Sequence, residues 1–234
     1  KNRLEKNKIQ VTIRREMDGG KFTGSDFSRT TLFARALSFA DTDKSKNFAY
    51  VDFEDDFNVS SIQDAALAFG IKIIRSFHDM KGPVQNLRER LSKMRKTGYE
   101  IPKIAFLPRS LSDVENLFRE ASQIKDFDFI LCAMGVEGFP SRLLPAFSNS
   151  YLTFVSPKEV IEHTKFLGHI DPMSLQEIYN FNSISKETAL YGLTAWPTIE
   201  NSVVQMQNKF FKDKNLNAVY IPVVSSIVSE TLSF

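Results

Sequence analysis

Apolar, β-branched and aromatic residues gather in six short runs along the chain, at 9–14, 49–54, 71–78, 102–108, 127–134 and 151–155. Between these runs, apolar positions recur every three or four residues. Strand-length runs alternating with helical periodicity predict βαβ units and a parallel sheet. In the stretch 84–97, Val84, Leu87, Leu91 and Met94 mark one helical stripe among charged residues, and Gly98 stands where a left-handed cap is wanted. Ser112 and Glu115 have the spacing of a capping box ahead of Leu117, Phe118 and Ala121. Leu32, Phe33, Ala36, Leu37 and Ala40 mark another helix, and Ile62, Ala65, Ala66 and Phe69 a further one closed by Gly70.

The period of two along the strands sorts their polar residues. Val51 and Phe53 point to one face, and Tyr50, Asp52 and Glu54 to the other. Ile74, Ser76 and His78 share a face of the third run, as do Lys103, Ala105 and Leu107 of the fourth. A barrel interior collects alternate side chains from every strand, with chemistry at the C-terminal strand ends, where Arg14, Glu54 and His78 fall. This parity favours a (β/α) barrel with an internal polar pocket over an open doubly wound sheet.

Composition narrows the function classes. The 234 residues are 42% hydrophobic and 25% charged, and 30 Lys and Arg against 28 Asp and Glu leave a net charge of +2. A near-neutral chain without a basic block is a poor nucleic-acid binder. No apolar run approaches the roughly 18 residues of a membrane span, and the first residues lack the apolar stretch of a signal peptide. The single cysteine, Cys132, closes no intrachain disulfide, no Cys/His cluster offers a metal site, and a reducing cytoplasm fits best. There is no G-x-G-x-x-G, no G-x-x-x-x-G-K-[ST] and no H-E-x-x-H. A small solute is the favoured partner. Without an initiator Met and ending within a helix-like stretch, the chain is expected to be incomplete at both ends.

Among candidate chemical groups, Lys103 lies in an apolar strand, where it is either an amine nucleophile or a strand-start lysine reaching for solvent. His78 suits proton transfer, or else caps a helix or pairs with Asp79. Arg14 and Arg142 are carboxylate clamps or ordinary ion pairs. Gly19-Gly20 suits a sharp turn or a close approach of backbone. Cys132 reads as a core thiol, and His163 and His169 as loop residues.

Taken together, Thr12-Ile-Arg14 with Gly19-Gly20, Tyr50-Val-Asp52-Phe-Glu54, Ser76-Phe-His78-Asp79, Ile101-Pro-Lys103-Ile-Ala, Met134-Gly135-x-x-Gly138-x-x-Ser141-Arg142 and Thr153-Phe154 resemble type I 3-dehydroquinate dehydratase in order and spacing. The resemblance implies a (β/α)8 TIM barrel, here lacking its first strands, so that the sheet cannot close. It implies that Lys103 forms an imine with the ketone of 3-dehydroquinate, that His78 moves the protons, and that Arg14 and Arg142 bind substrate. Neither metal nor cofactor is needed. The acidic partner of the histidine aligns with Asp18, one methylene shorter than the family's Glu. Lys165 and His169 stand where the family places a Ser and a Gln over the substrate, and are the candidate replacements.

From Leu190-Tyr-Gly192 to Tyr220-Ile-Pro222 the chain resembles the opening of shikimate dehydrogenase, although Asn201 and Val203 replace that family's Ser-x-Ser pair. The expected division is 1–187, an N-terminally incomplete dehydratase barrel, and 188–234, the start of an α/β dehydrogenase domain. NADP would be relevant only if a complete dehydrogenase domain follows. The alternatives are a degenerate, non-catalytic barrel that binds or scaffolds, and a dehydrogenase whose dehydratase half has decayed. A homodimer is one option for assembly.

Overall fold

The computed structural model describes residues 9–161, 167–195 and 202–234. Five strands follow in sheet order β1 (Gln10–Thr12), β2 (Tyr50–Glu54), β3 (Lys72–Asp79), β4 (Ile101–Phe106) and β5 (Ile130–Ala133). β1 with β2 and β2 with β3 are parallel, with Thr12 opposite Asp52 and Glu54 opposite Ser76. Neighbours in the sheet are neighbours in the chain, without the reversal of a doubly wound fold. The order has two ends, so the sheet is open among the described residues.

The chain divides into two compact units, the first made of residues 1–80 and 89–104 and the second of 81–88 and 105–234. In the first unit, α1 (Asp26–Leu37) starts at Ser25, whose Oγ accepts the Ser28 amide, and α2 (Ser60–Ala68) ends at Gly70, which adopts φ +72° as the pattern requires. These helices cover the apolar face of β2. Phe33 meets Phe53 edge-on at 4.9 Å, and Phe57 stacks on Phe53 at 5.3 Å, in a core that also holds Leu37, Val51, Ile62 and Ile73. Burying such side chains contributes about 1.5–3 kcal/mol each. The opposite face of β2 is left to Asp52 and Glu54, both buried.

In the second unit, α4 (Leu111–Ser122) buries Leu111, Val114, Leu117 and Ala121. It begins two residues earlier than the capping box requires: Ser110 is the cap position without a side-chain bond, and Asp113 instead accepts the Arg109 amide at 2.8 Å. Gly98, expected to cap α3 (Leu87–Met94), has φ +82° but lies beyond the helix end in the intervening turn. The run 151–155 is not a strand. Its start is tied to Phe129 by the Tyr151 amide at 2.7 Å, and Thr153 and Phe154 then turn to Arg142 rather than continuing a ladder. After α5 (Phe139–Leu143), α6 (Pro145–Ser148), α7 (Lys158–Ile161) and α8 (Pro172–Tyr179), β6 (Ala189–Ala195), α9 (Ser202–Asp213) and β7 (Ala218–Val224) form a parallel βαβ unit, with α10 (Val228–Ser233) following. Asn208 of α9 ties the helix to β7, donating to the Tyr220 carbonyl and accepting its amide, each at 2.7 Å. No helix among the described residues is long and apolar enough to cross a membrane.

Candidate active site

In the first unit, the polar face of the sheet carries a row of alternating charges. Arg14, just past β1, reaches across to β2, with Nη2 2.7 Å from Asp52 Oδ1 and Nη1 3.1 Å from Glu54 Oε1. Ser76 of β3 accepts from Arg14 Nη1 at 2.7 Å and donates to Asp52 Oδ1 at 2.6 Å. Lys103 of β4, 8% exposed in a strand buried along its whole length, places Nζ 3.4 Å from Asp52 Oδ2. On the far side, Arg29 of α1 sits 3.0 Å from Glu54 Oε2, close enough for charge pairing although not aligned for a hydrogen bond, with its guanidinium over the Phe57 ring. Burial alone would push the Asp52 carboxyl up. The charges of Lys103 and Arg14, together with the hydrogen bonds from Ser76 and Arg14, outweigh it and hold Asp52 at about 2.

His78 ends the same face of β3. Burial, then the charges of Arg14 and Lys103, lower its pKa to about 3 against the opposing pull of Asp52. The imidazole is therefore neutral at neutral pH, in the state that accepts a proton. Its Nδ1 is buried and makes no hydrogen bond. His78 lines a cavity of about 230 Å³ shared with Asp18, Arg15, Glu54, Ser76 and Arg90. Asp18 is bonded to Arg15, whose Nε lies 2.6 Å from Asp18 Oδ2. The turn carrying Asp18 requires its glycines: Gly19 has φ +80°, and a Cβ on Gly20 would lie 2.2 Å from the Arg14 carbonyl oxygen.

The second unit holds the other candidates. Arg142, 2% exposed on α5, donates from Nη1 to the Phe154 carbonyl at 3.1 Å and from Nη2 to the Leu167 carbonyl at 2.8 Å. Its Nε is buried without a hydrogen bond. His169 Nδ1 lies 2.6 Å from Ser156 Oγ, and burial and the Arg142 charge lower its pKa to about 4. The glycines of the preceding motif permit close passage of backbone. A Cβ on Gly138 would meet Ala133 at 2.4 Å, and one on Gly168 would meet the Gly135 carbonyl at 2.1 Å. Ser141 accepts the Ala133 amide at 3.0 Å and fixes the start of α5 to the end of β5.

A family profile described as type I 3-dehydroquinase matches residues 1–186. The chain belongs to the type I 3-dehydroquinase family. It is 26% identical over 225 residues to the bifunctional 3-dehydroquinate dehydratase/shikimate dehydrogenase of Arabidopsis thaliana, covering 93% of this chain and 35% of that one. It is 32% identical over 155 residues to the 3-dehydroquinate dehydratase of Methanosarcina mazei, covering 63% of this chain and 62% of that one. The chain thus spans between about a third and two thirds of the length of these relatives. A type I 3-dehydroquinate dehydratase from Clostridium difficile, solved with covalently modified comenic acid, superposes with a TM-score of 0.60 at 25% identity, over 76% of this chain and 70% of that one.

In this member of the type I 3-dehydroquinase family, Arg14, Asp18, His78 and Lys103 fall in the first unit, and Arg142 and His169 in the second. Lys165, His163 and Asn201 lie outside the described residues. Val203 is described and partly exposed on α9. Cys132 is a buried free thiol beside Ala105 and Met134. Among the described residues, no group of His, Cys, Asp and Glu could hold a metal ion. Sequence reasoning placed Asp52 and Glu54 on the polar face but not at the centre of the charge row, and it missed Arg15, Arg29 and Ser156. Arg29 had a legible signal: it lies four residues before Phe33 and eight before Leu37, on the buried stripe of α1.

Proposed function

We propose that this chain carries 3-dehydroquinate dehydratase activity, as a lyase of the shikimate pathway acting through a Schiff base on Lys103. The observation that carries the reading is Lys103 itself: a lysine on a wholly buried strand, its nitrogen 3.4 Å from Asp52, on the face that also bears Arg14 and Ser76. In the proposed reaction Lys103, on passing a proton to His78, attacks the C3 ketone of 3-dehydroquinate, and loss of water, with that proton returned, gives an imine. The imine draws electrons when neutral His78 takes the C2 proton. The C1 hydroxyl then leaves as water with a proton returned by His78, and hydrolysis frees 3-dehydroshikimate and the amine. No step requires a cofactor. Arg14 and Arg142 are proposed to bind the substrate, Arg142 by its carboxylate, with Lys165 and His169 in place of the family's Ser and Gln over it, and Asp18 to assist His78.

The proposed division places a dehydratase part in 1–187 and the beginning of a shikimate dehydrogenase-like part in 188–234. It is supported by the family match ending at residue 186 and by a similarity to the Arabidopsis bifunctional protein that covers 93% of the chain and so runs past that point. NADP belongs to this reading only through a complete dehydrogenase domain. A cytoplasmic location and a homodimer stand as expectations of the same reading.

Borohydride reduction of the full chain with 3-dehydroquinate, followed by peptide mass spectrometry, should place a reduced adduct on Lys103. An unmodified Lys103 in folded protein would sink the reading. A second reading, binding without turnover, is favoured by the engagement of Asp18 with Arg15. It predicts substrate-dependent stabilisation with no adduct and no absorbance of the conjugated product.

A further inference from the structure

Arg15 follows the substrate-binding candidate Arg14 but turns to a different task. Its Nε bonds Asp18 at 2.6 Å, and its two terminal nitrogens bond the two oxygens of Asp56 at 2.9 Å each, so the whole fork is engaged. Its carbonyl accepts the amides of Asp18 at 3.1 Å and Gly20 at 2.8 Å, wrapping the turn around it. Arg15, Asp18 and Asp56 all line the cavity that His78 lines. His78 Nδ1, buried there, has no hydrogen-bond partner, while the Asp18 side chain, 12% exposed, is bonded to Arg15.

We propose that Arg15 is a positioning residue that withholds Asp18 from His78 and, through Asp56, pins the turn bearing Asp18 at the rim of the His78 cavity. The proposal rests on the reading of His78 as the group that moves protons. The remaining carboxylates of the cavity, Glu54 and Asp55, and Asp52 beside Ser76 are paired without Arg15. Asp52 is held by Arg14 and Lys103, Glu54 lies between Arg14 and Arg29, and Asp55 pairs with Arg90 at 2.8 Å, whose guanidinium covers the Phe77 ring. Asp18 and Asp56 are the cavity carboxylates whose pairing runs through Arg15. Loss of Arg15 therefore removes one cation and frees two carboxylates, Asp18 and Asp56, and both changes favour protonated His78.

The test is an NMR titration of the imidazoles in the full 234-residue chain, without substrate, with the His78 signal assigned from its loss in His78→Gln. Arg15→Ala should raise the His78 pKa by about 1–3 units, the size expected of an opposite charge brought within a few ångströms. Adding Asp18→Asn to Arg15→Ala should remove at least half of that rise. Should Arg15→Ala fail to fold, Arg15→Lys, which keeps the charge but cannot fork, should still give a partial rise. No change on replacing Arg15 would overturn the proposal. So would a rise that Asp18→Asn leaves intact, since the lost Arg15 charge would then account for it. The Lys103 adduct is scored separately: a rise that Asp18→Asn reverses, without an adduct, upholds the positioning role while removing the dehydratase reading.

Discussion

Asp52 is the residue on which the polar face turns, because four side chains, those of Arg14, Ser76, Lys103 and Gln10, converge on its two oxygens. Its carboxyl falls from an ordinary 3.8 to about 2, worth about 2 kcal/mol of stability. A lowered carboxyl favours the folded state above the unfolded pKa and loses that advantage as pH falls. The Asp52 contribution should therefore be complete above about pH 4 and vanish toward pH 2. Asp52→Asn leaves Arg14 and Lys103 short of a buried counter-charge and should cost about 3–5 kcal/mol at pH 7, read from urea unfolding. His78 gives the same sign by another route. It is neutral when folded down to about pH 3 but takes a proton near 6.5 when unfolded, so stability should rise with pH between about 3 and 6.5 and level off above. His78→Gln should flatten part of that slope; an unchanged slope would mean that burial is not what lowers the imidazole.

At the scale of elements, alternation along β2, β3 and β4 was legible because strand geometry leaves no choice: residues two apart share a face. It put Phe53 toward the helices and brought Asp52, Ser76 and Lys103 to one side. Phe53→Ala should cost about 3–5 kcal/mol, since it opens a cavity against Phe33 and Phe57. The run 151–155 misled, because β-branched and aromatic residues also suit an extended segment whose carbonyl is used by an arginine. Glycine chemistry was half legible. Gly19-Gly20 signalled a turn or close approach, and the neighbour approached is the Arg14 backbone. Gly20→Ala should force that backbone apart and, on the proposed dehydratase reading, raise KM for 3-dehydroquinate more than it lowers kcat, while Gly98→Ala, which meets no atoms, should change stability only through its left-handed φ, by about 1–2 kcal/mol.

For the whole molecule, residues 105–224 and beyond belong to one compact unit, in which β7 buries Val219, Ile221, Val223 and Val224 and packs on α5 and α8. Cutting the chain after Glu187 should therefore lower hydrogen-exchange protection of α5, which carries Arg142, by tenfold or more. Unchanged protection would show that residues 188–234 are dispensable to it. The sequence by itself determined the alternating elements, the parity that segregates Lys103 and its neighbours from the apolar core, and the family, because these depend on local periodicity and motif spacing. Only the tertiary structure decided that Asp52 carries two cations, that Arg29 closes the charge row from α1, and that Asp18 is bonded to Arg15 rather than to His78. The pairings of Asp52 and Arg29 join residues far apart in the chain, Lys103 and Asp52 by 51 positions, and Arg15 chooses Asp18 by the turn that folds between them. Coulomb energy depends on distance through space, which no local pattern in the chain records.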